Sequence, residues 1–155
     1  MRLSYSENIR LLEIKIGYKF KKKSLIKEAL THKSFAKEKR EDTELFNERL
    51  EFLGDAVLGL VICDYLFSTY PQYTESEFSK IKAYVVQEAA LADAAFKFGI
   101  GSFLYLGKGE ETSGGRKKPS LLANAFEAIL AAIYIDGGLK KSREFVLKNL
   151  ECKIK

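Results

Sequence analysis

Four carboxylates recur at helical spacing in the first half of the chain: Glu44, Glu48, Glu51 and Asp55. At about 100° per residue, with Glu48 as zero, Glu44 lies at about 320°, Glu51 at about 300°, Asp55 at about 340° and Gly59 at about 20°. The acids therefore share one narrow stripe. From Leu50 onward the other sides are mostly apolar, through Leu50, Phe52, Leu53, Val57, Leu58, Val61 and Ile62. A second stripe lies in SLLANAFEAILAAIYI, whose only polar side chains before Tyr134 are Ser120, Asn124 and Glu127. Counted from Ser120 they fall at about 0°, 40° and 340°.

A helix that is apolar on nearly every side belongs at the centre of a fold. Glu127 is then a lone charge on a core helix. Burying an unpaired carboxylate costs on the order of several kcal/mol or shifts its pKa until it neutralises. If the two stripes face each other, Glu51, Asp55, Glu127 and the carboxamide oxygen of Asn124 form an oxygen-rich, histidine-free cluster. Hard divalent cations suit such donors, Mg²⁺ first and Mn²⁺ as its substitute. On a basic chain that points to phosphate chemistry. Two plainer readings stand beside it: the acids of the first helix form a solvated face, and Glu127 pairs with Lys82 or Arg49. Residue types alone leave metal site and structural pairing equally open.

The elements that must position these residues are helical. SENIRLLEIKIG reads as a helix capped by Ser6 and ended by Gly17, and KKSLIKEALTH repeats apolar residues at Leu25, Ile26, Ala29 and Leu30. Residues 37–43 are charged and read as a loop. Residues 44–70 form a long apolar segment stopped at Tyr70-Pro71. A turn and two helices follow up to Gly99. Residues 107–119, with four glycines and a basic tail before Pro119, read as a loop. Helix 120–135 stops at Asp136-Gly137-Gly138, and a last amphipathic helix runs from about Lys140 to about Leu150. Gly54 and Gly59 each weaken their helix by roughly 1 kcal/mol relative to Ala, which suggests close approach of a neighbour. With no alternating strand and no internal repeat, the fold class is all-α.

Composition narrows the chemistry further. The 155 residues carry a formal charge of +5, with 46% hydrophobic and 30% charged residues, which fits one soluble domain with a substantial core. One histidine, His32, excludes sites needing several imidazoles, including carboxylate di-iron bundles with their paired Glu-x-x-His motifs. Two cysteines exclude a disulfide scaffold, and Cys63, set in an apolar run, is expected as a small buried thiol. No stretch resembles a signal peptide, and Asp64 and Glu127 interrupt the longest apolar runs, so the expected address is cytoplasmic.

Residues 47–55, Asn-Glu-Arg-Leu-Glu-Phe-Leu-Gly-Asp, with Ala56-Val57-Leu58 after them, resemble the signature of the ribonuclease III family. Thr31-His32-Lys33-Ser34-Phe35 is similar to its Thr-His-x-Ser element. Glu75-Ser76-Glu77-Phe78 with Lys80 to Ala83, and Gly107-Lys108-Gly109-Glu110, are similar to later elements. Leu122-Ala123-Asn124-Ala125-Phe126-Glu127-Ala128 resembles its second acidic motif. The resemblance covers residues 1–155 as one nuclease domain. It implies an all-helical, homodimeric, Mg²⁺-dependent endonuclease of double-stranded RNA that leaves 5′-phosphate and 3′-hydroxyl ends with a short 3′ overhang. By motif position, Glu51, Asp55, Asn124 and Glu127 take the primary metal-site places, Glu48 and Glu75 are auxiliary acids, and Phe52 inserts into the partner subunit. A structural hydrogen-bonding role is expected for His32. Candidate RNA contacts are Lys108, Arg116, Lys117 and Lys118, reaching a wide minor groove by charge and through 2′-hydroxyls; the basic run from Lys19 to Lys27 reads as a solvated face.

The chain departs from the family pattern twice. Position 124 is Asn where bacterial members most often have Asp, which keeps an oxygen ligand and loses a charge. Nothing resembles the double-stranded RNA-binding domain that usually follows, so weaker RNA binding is expected. A non-catalytic double-stranded RNA-binding dimer is the alternative function.

Overall fold

Ser4 opens the first helix. Its side chain accepts the Glu7 N–H while the Glu7 carboxylate takes the Ser4 N–H at 2.7 Å, a reciprocal cap. The cap falls two residues before the expected Ser6, because it is Ser4 that has a glutamate three positions on. The computed structural model describes residues 4–39 and 45–155. In order they form α1 (Tyr5–Ile16), α2 (Lys23–Leu30), α3 (Lys33–Lys39), α4 (Glu48–Thr69), α5 (Glu75–Val85), α6 (Glu88–Lys97), a 3₁₀ turn (Ile100–Phe103), α7 (Lys108–Thr112), a second 3₁₀ turn (Gly115–Lys117) and α8 (Pro119–Ile154). The fold is all-helical; among the described residues the only extended pairing is an isolated bridge between Thr31 and Tyr105.

Pro119 occupies the first turn of α8, where its missing N–H costs nothing. The helix breaks at Gly138, whose φ of 83° is left-handed and suited to glycine, and resumes to Ile154 rather than ending near Leu150. Its first half is the centre of the molecule. Ala125, Phe126, Ala128, Ile129, Leu130, Ala131, Ala132 and Ile133 are all fully buried, and α4, α6 and α2 pack against α8. By length and composition α8 could cross a membrane, yet more than half of its apolar window is buried inside the domain. It is a core helix.

Helix α4 starts at Glu48, and Glu44 lies outside the described residues. One side of α4 buries Leu50, Val57, Leu58, Val61 and Ile62. Another side is apolar and open, through Phe52, Ala56, Leu60, Cys63 and Phe67. Cys63 is therefore exposed rather than buried: an apolar run on a helix with two apolar sides does not say which side meets the core. Residues 37–39 are helical rather than loop, and 40–43 lie outside the described residues. The expected loop 107–119 contains α7 and a 3₁₀ turn, for reasons given below.

Asp136, at the end of the first half of α8, ties that helix to the turn after α1. It accepts the Tyr18 hydroxyl at 2.8 Å, the Lys21 N–H at 2.9 Å and the Lys22 N–H at 3.0 Å. Burial pushes its carboxyl up, but those three donors outweigh burial and hold it below the usual carboxylate range. Asp136→Ala should cost about 2–3 kcal/mol. Because the folded pKa is lowered, this contribution is full above the unfolded-state value of about 4 and is lost as pH falls through the folded value. Urea unfolding at pH 7 and pH 3 should show the gap between the proteins narrowing in acid.

Candidate active site

The first turns of α4 carry Glu48, Glu51, Phe52 and Asp55, and the first half of α8 carries Asn124 and Glu127. These six side chains line one open cavity of about 500 Å³. The two helices meet there because of Gly54. A Cβ at that position would stand 1.9 Å from the Glu127 carbonyl oxygen and 2.5 Å from its carbon, so the backbones touch. The close approach suggested by Gly54 is real, whereas Gly59 has only the Lys82 side chain nearby, at 3.7 Å from its missing Cβ.

Glu127 is half-buried. Burial, then the charges of Asp55 and Glu51, then a side-chain hydrogen bond with Asp55, push its carboxyl up to about 7. Among the described residues neither Lys82 nor Arg49, nor any other cation, forms an ion pair with it. Glu51 is also raised, by burial first and then by Glu48 and Asp55, against a partial offset from Lys33. Lys33 reaches the rim, 3.1 Å from Glu48. No helical angle on α4 announces this lysine, since it arrives on another element. As the side chains stand, no three His, Cys, Asp or Glu residues among those described are gathered tightly enough to hold an ion. The donor chemistry nevertheless suits a hard cation: four carboxylates and an amide oxygen border one cavity, and Glu127 lacks the positive partner its burial calls for.

Glu75 is not in this cavity. It heads α5, accepts the Ser79 hydroxyl at 2.5 Å, and borders a separate groove with Leu60, Cys63, Asp64, Phe67 and Lys82. Phe52 lines the cavity with its ring 82% exposed, an unusual cost for a phenyl group in water.

The segment after Leu106 is stapled to α3. His32 N–H donates to the Tyr105 carbonyl, and the Ser34 hydroxyl, 2.7 Å from His32 Nδ1, accepts the Gly107 N–H at 2.9 Å. The Lys108 N–H donates to Glu38 at 2.7 Å, capping α7 from another helix. Burial first pushes the His32 imidazole down, which favours the neutral ring that can accept from Ser34. Arg116 is turned inward. Its guanidinium grips Glu111 through two 2.6 Å bonds and donates to the carbonyls of Gly101 and Leu104. Lys118 holds Glu110 at 2.5 Å and Ser113 at 3.1 Å. Of the four basic residues singled out in this segment, Lys108 and Lys117 have no ion-pair partner among the described residues.

The family described as Ribonuclease-III-like matches residues 22–153. The chain is 51% identical over 139 residues to a protein named Ribonuclease 3 from Nitratiruptor sp., covering 90% of this chain and 59% of that one. It is 53% identical over 136 residues to the Ribonuclease 3 of Caldanaerobacter subterraneus subsp. tengcongensis, covering 88% and 59%. The chain thus spans about three fifths of the length of these curated relatives. Its fold matches the crystal structure of the nuclease domain of ribonuclease III from Campylobacter jejuni with a TM-score of 0.85, at 41% identity over 94% of this chain and 95% of that one. Two acidic helices crossing at a glycine, in a chain whose sequence and fold both align with these proteins, lead to one assignment: it belongs to the ribonuclease III family.

Proposed function

We propose that the chain is a divalent-metal-dependent endoribonuclease that hydrolyses double-stranded RNA to 5′-phosphate and 3′-hydroxyl ends, in the cytoplasm and in the processing of RNA precursors. One observation supports this above the others: Glu127, half-buried beside Asp55 and Glu51 with no cation paired to it. Glu51, Asp55, Asn124 and Glu127 would hold Mg²⁺ or Mn²⁺, with Glu48 at the rim. When bound, such an ion supplies Lewis acidity toward water and toward the phosphoryl oxygens. The protein's own residues fix the donors: Gly54 brings α8 against α4, and α8 excludes water from one side of Glu127. Glu75, outside the cavity, serves as an auxiliary acid only if RNA or a second copy spans both places. Lys108 and Lys117 are the better placed of the candidate RNA contacts, since Arg116 and Lys118 are committed internally.

The working unit in this reading is a homodimer. Its support is the open apolar side of α4, where Phe52, Leu60 and Phe67 are 82%, 56% and 76% exposed in a continuous row. One solved relative, the Campylobacter jejuni nuclease domain, is described with a region involved in dimer formation.

Asn124 favours a second reading, a double-stranded RNA-binding dimer with weak or absent cleavage, because it offers an oxygen without a charge. One assay separates them. A long RNA duplex incubated with the protein and Mg²⁺ or Mn²⁺ should be cut, and Asn124→Asp should cut about tenfold faster at limiting Mg²⁺, a gain on the order of 1.4 kcal/mol. Binding without cleavage at every metal concentration would establish the second reading.

A further inference from the structure

The geometry points to Lys82 as a phosphate-contacting residue that seats the RNA strand beside the acidic cavity. This assignment deepens the functional reading above and rests on it. Among the described residues three lysines are partly buried: Lys82, Lys118 and Lys153. Lys118 is paired with Glu110 and Lys153 with Asp93. Lys82 is the one whose ammonium has no ion-pair or hydrogen-bond partner among the described residues, although two acids border the same groove. Those acids are otherwise engaged, Asp64 with Arg143 and Glu75 with Ser79.

The ammonium lies along α4 at Gly59, its Nζ 3.7 Å from where a Cβ would be. Gly59 is one helical turn beyond Asp55 and on the same stripe, a rise of about 6 Å. The last turn of α5 favours a cation for its dipole, which accounts for a basic residue there but not for laying the end of its side chain against a neighbouring helix. An ammonium without an ion-pair partner, one turn from a carboxylate cluster, is placed to meet an anion arriving from outside. If the acids gather a metal over the scissile phosphate, a neighbouring phosphate of the same strand passes Lys82, and its non-bridging oxygen takes the ammonium's proton donors.

The test compares wild type, Lys82→Met and Lys82→Arg on a synthetic RNA duplex in Mg²⁺ across a range of KCl. Methionine keeps the apolar stem on Gly59 and deletes the charge. The expected result for Lys82→Met is a KM about tenfold higher with kcat little changed, and a plot of log affinity against log salt that is shallower by about one unit. Lys82→Arg should restore both. An unchanged salt slope in Lys82→Met, with wild type cutting normally, overturns this assignment alone. A weakened dimer in sedimentation equilibrium with that slope unchanged also overturns it, by giving the ammonium to a carboxylate of a second copy. A wild-type chain that neither binds nor cuts the duplex overturns the functional reading and this one together.

Discussion

Glu127→Gln should fold more stably than wild type in metal-free buffer at pH 8, and should cleave RNA about a thousandfold more slowly. The two effects share one cause. Glu127 is half-buried beside Asp55 and Glu51, and its carboxyl is pushed up to about 7 by burial, by those charges and by the hydrogen bond with Asp55. A carboxyl raised on folding contributes fully below its unfolded-state value of about 4.3, and that contribution is lost as pH rises through the folded value. At pH 8 the ionised side chain is a cost that glutamine does not carry, worth about 1–3 kcal/mol after allowance for solvent near the cavity. At pH 4 the difference should disappear. In the functional reading a cation turns the same charge from liability to necessity. Removing it forfeits roughly 4 kcal/mol of transition-state stabilisation, hence the thousandfold loss. Urea unfolding at both pH values and single-turnover cleavage in saturating Mg²⁺ measure the pair. A stable Glu127→Gln that cuts RNA at the wild-type rate would remove Glu127 from the chemistry.

The juxtaposition of the two acidic stripes was legible because helical angle is a local property. Glu51 and Asp55 on one helix, and Asn124 and Glu127 on another, are each fixed by spacing alone, and an apolar α8 leaves its polar stripe few places to go. What spacing cannot supply is the partner brought by a distant element. Arg116 sits in a basic, glycine-rich stretch and reads as available, yet Glu111 and the carbonyls of Gly101 and Leu104 occupy it. The helical turn from Lys108 to Thr112 depends on a cap from Glu38, seventy positions away, so its own residues read as loop. Cys63 illustrates a different limit. Helix α4 is apolar toward the core and also along Phe52, Leu60 and Phe67, and hydrophobicity does not distinguish a side that meets the core from one left open. Motif resemblance sets Glu75 among the acids of the site, whereas the fold sets it in the neighbouring groove.

Gly54→Ala should damage stability and activity together, whereas Gly59→Ala, five residues along the same helix, should stabilise. By helix propensity the two changes are equivalent, each favouring α4 by about 1 kcal/mol. Their surroundings differ. At Gly54 the new methyl would meet the carbonyl oxygen, carbonyl carbon and Cα of Glu127 at 1.9, 2.5 and 3.1 Å. These are backbone atoms of a fully packed core helix and cannot rotate aside, so α4 and α8 must part by roughly 1 Å or more. Overpacking of that kind costs about 1–3 kcal/mol or more, exceeding the propensity gain. The separation also carries Asp55 away from Glu127, and a displacement of about 1 Å among reacting groups costs on the order of a hundredfold in rate. At Gly59 the nearest atoms are the end of the Lys82 side chain at 3.7 Å, an ordinary contact, so the propensity term survives as a gain of about 0.5–1 kcal/mol. Thermal unfolding of the two variants should therefore shift in opposite directions, with cleavage falling about a hundredfold in Gly54→Ala. If Gly54→Ala melts above wild type and cuts RNA as well, α4 and α8 do not cross in contact at this glycine, and the acids on the two helices are not held together by it.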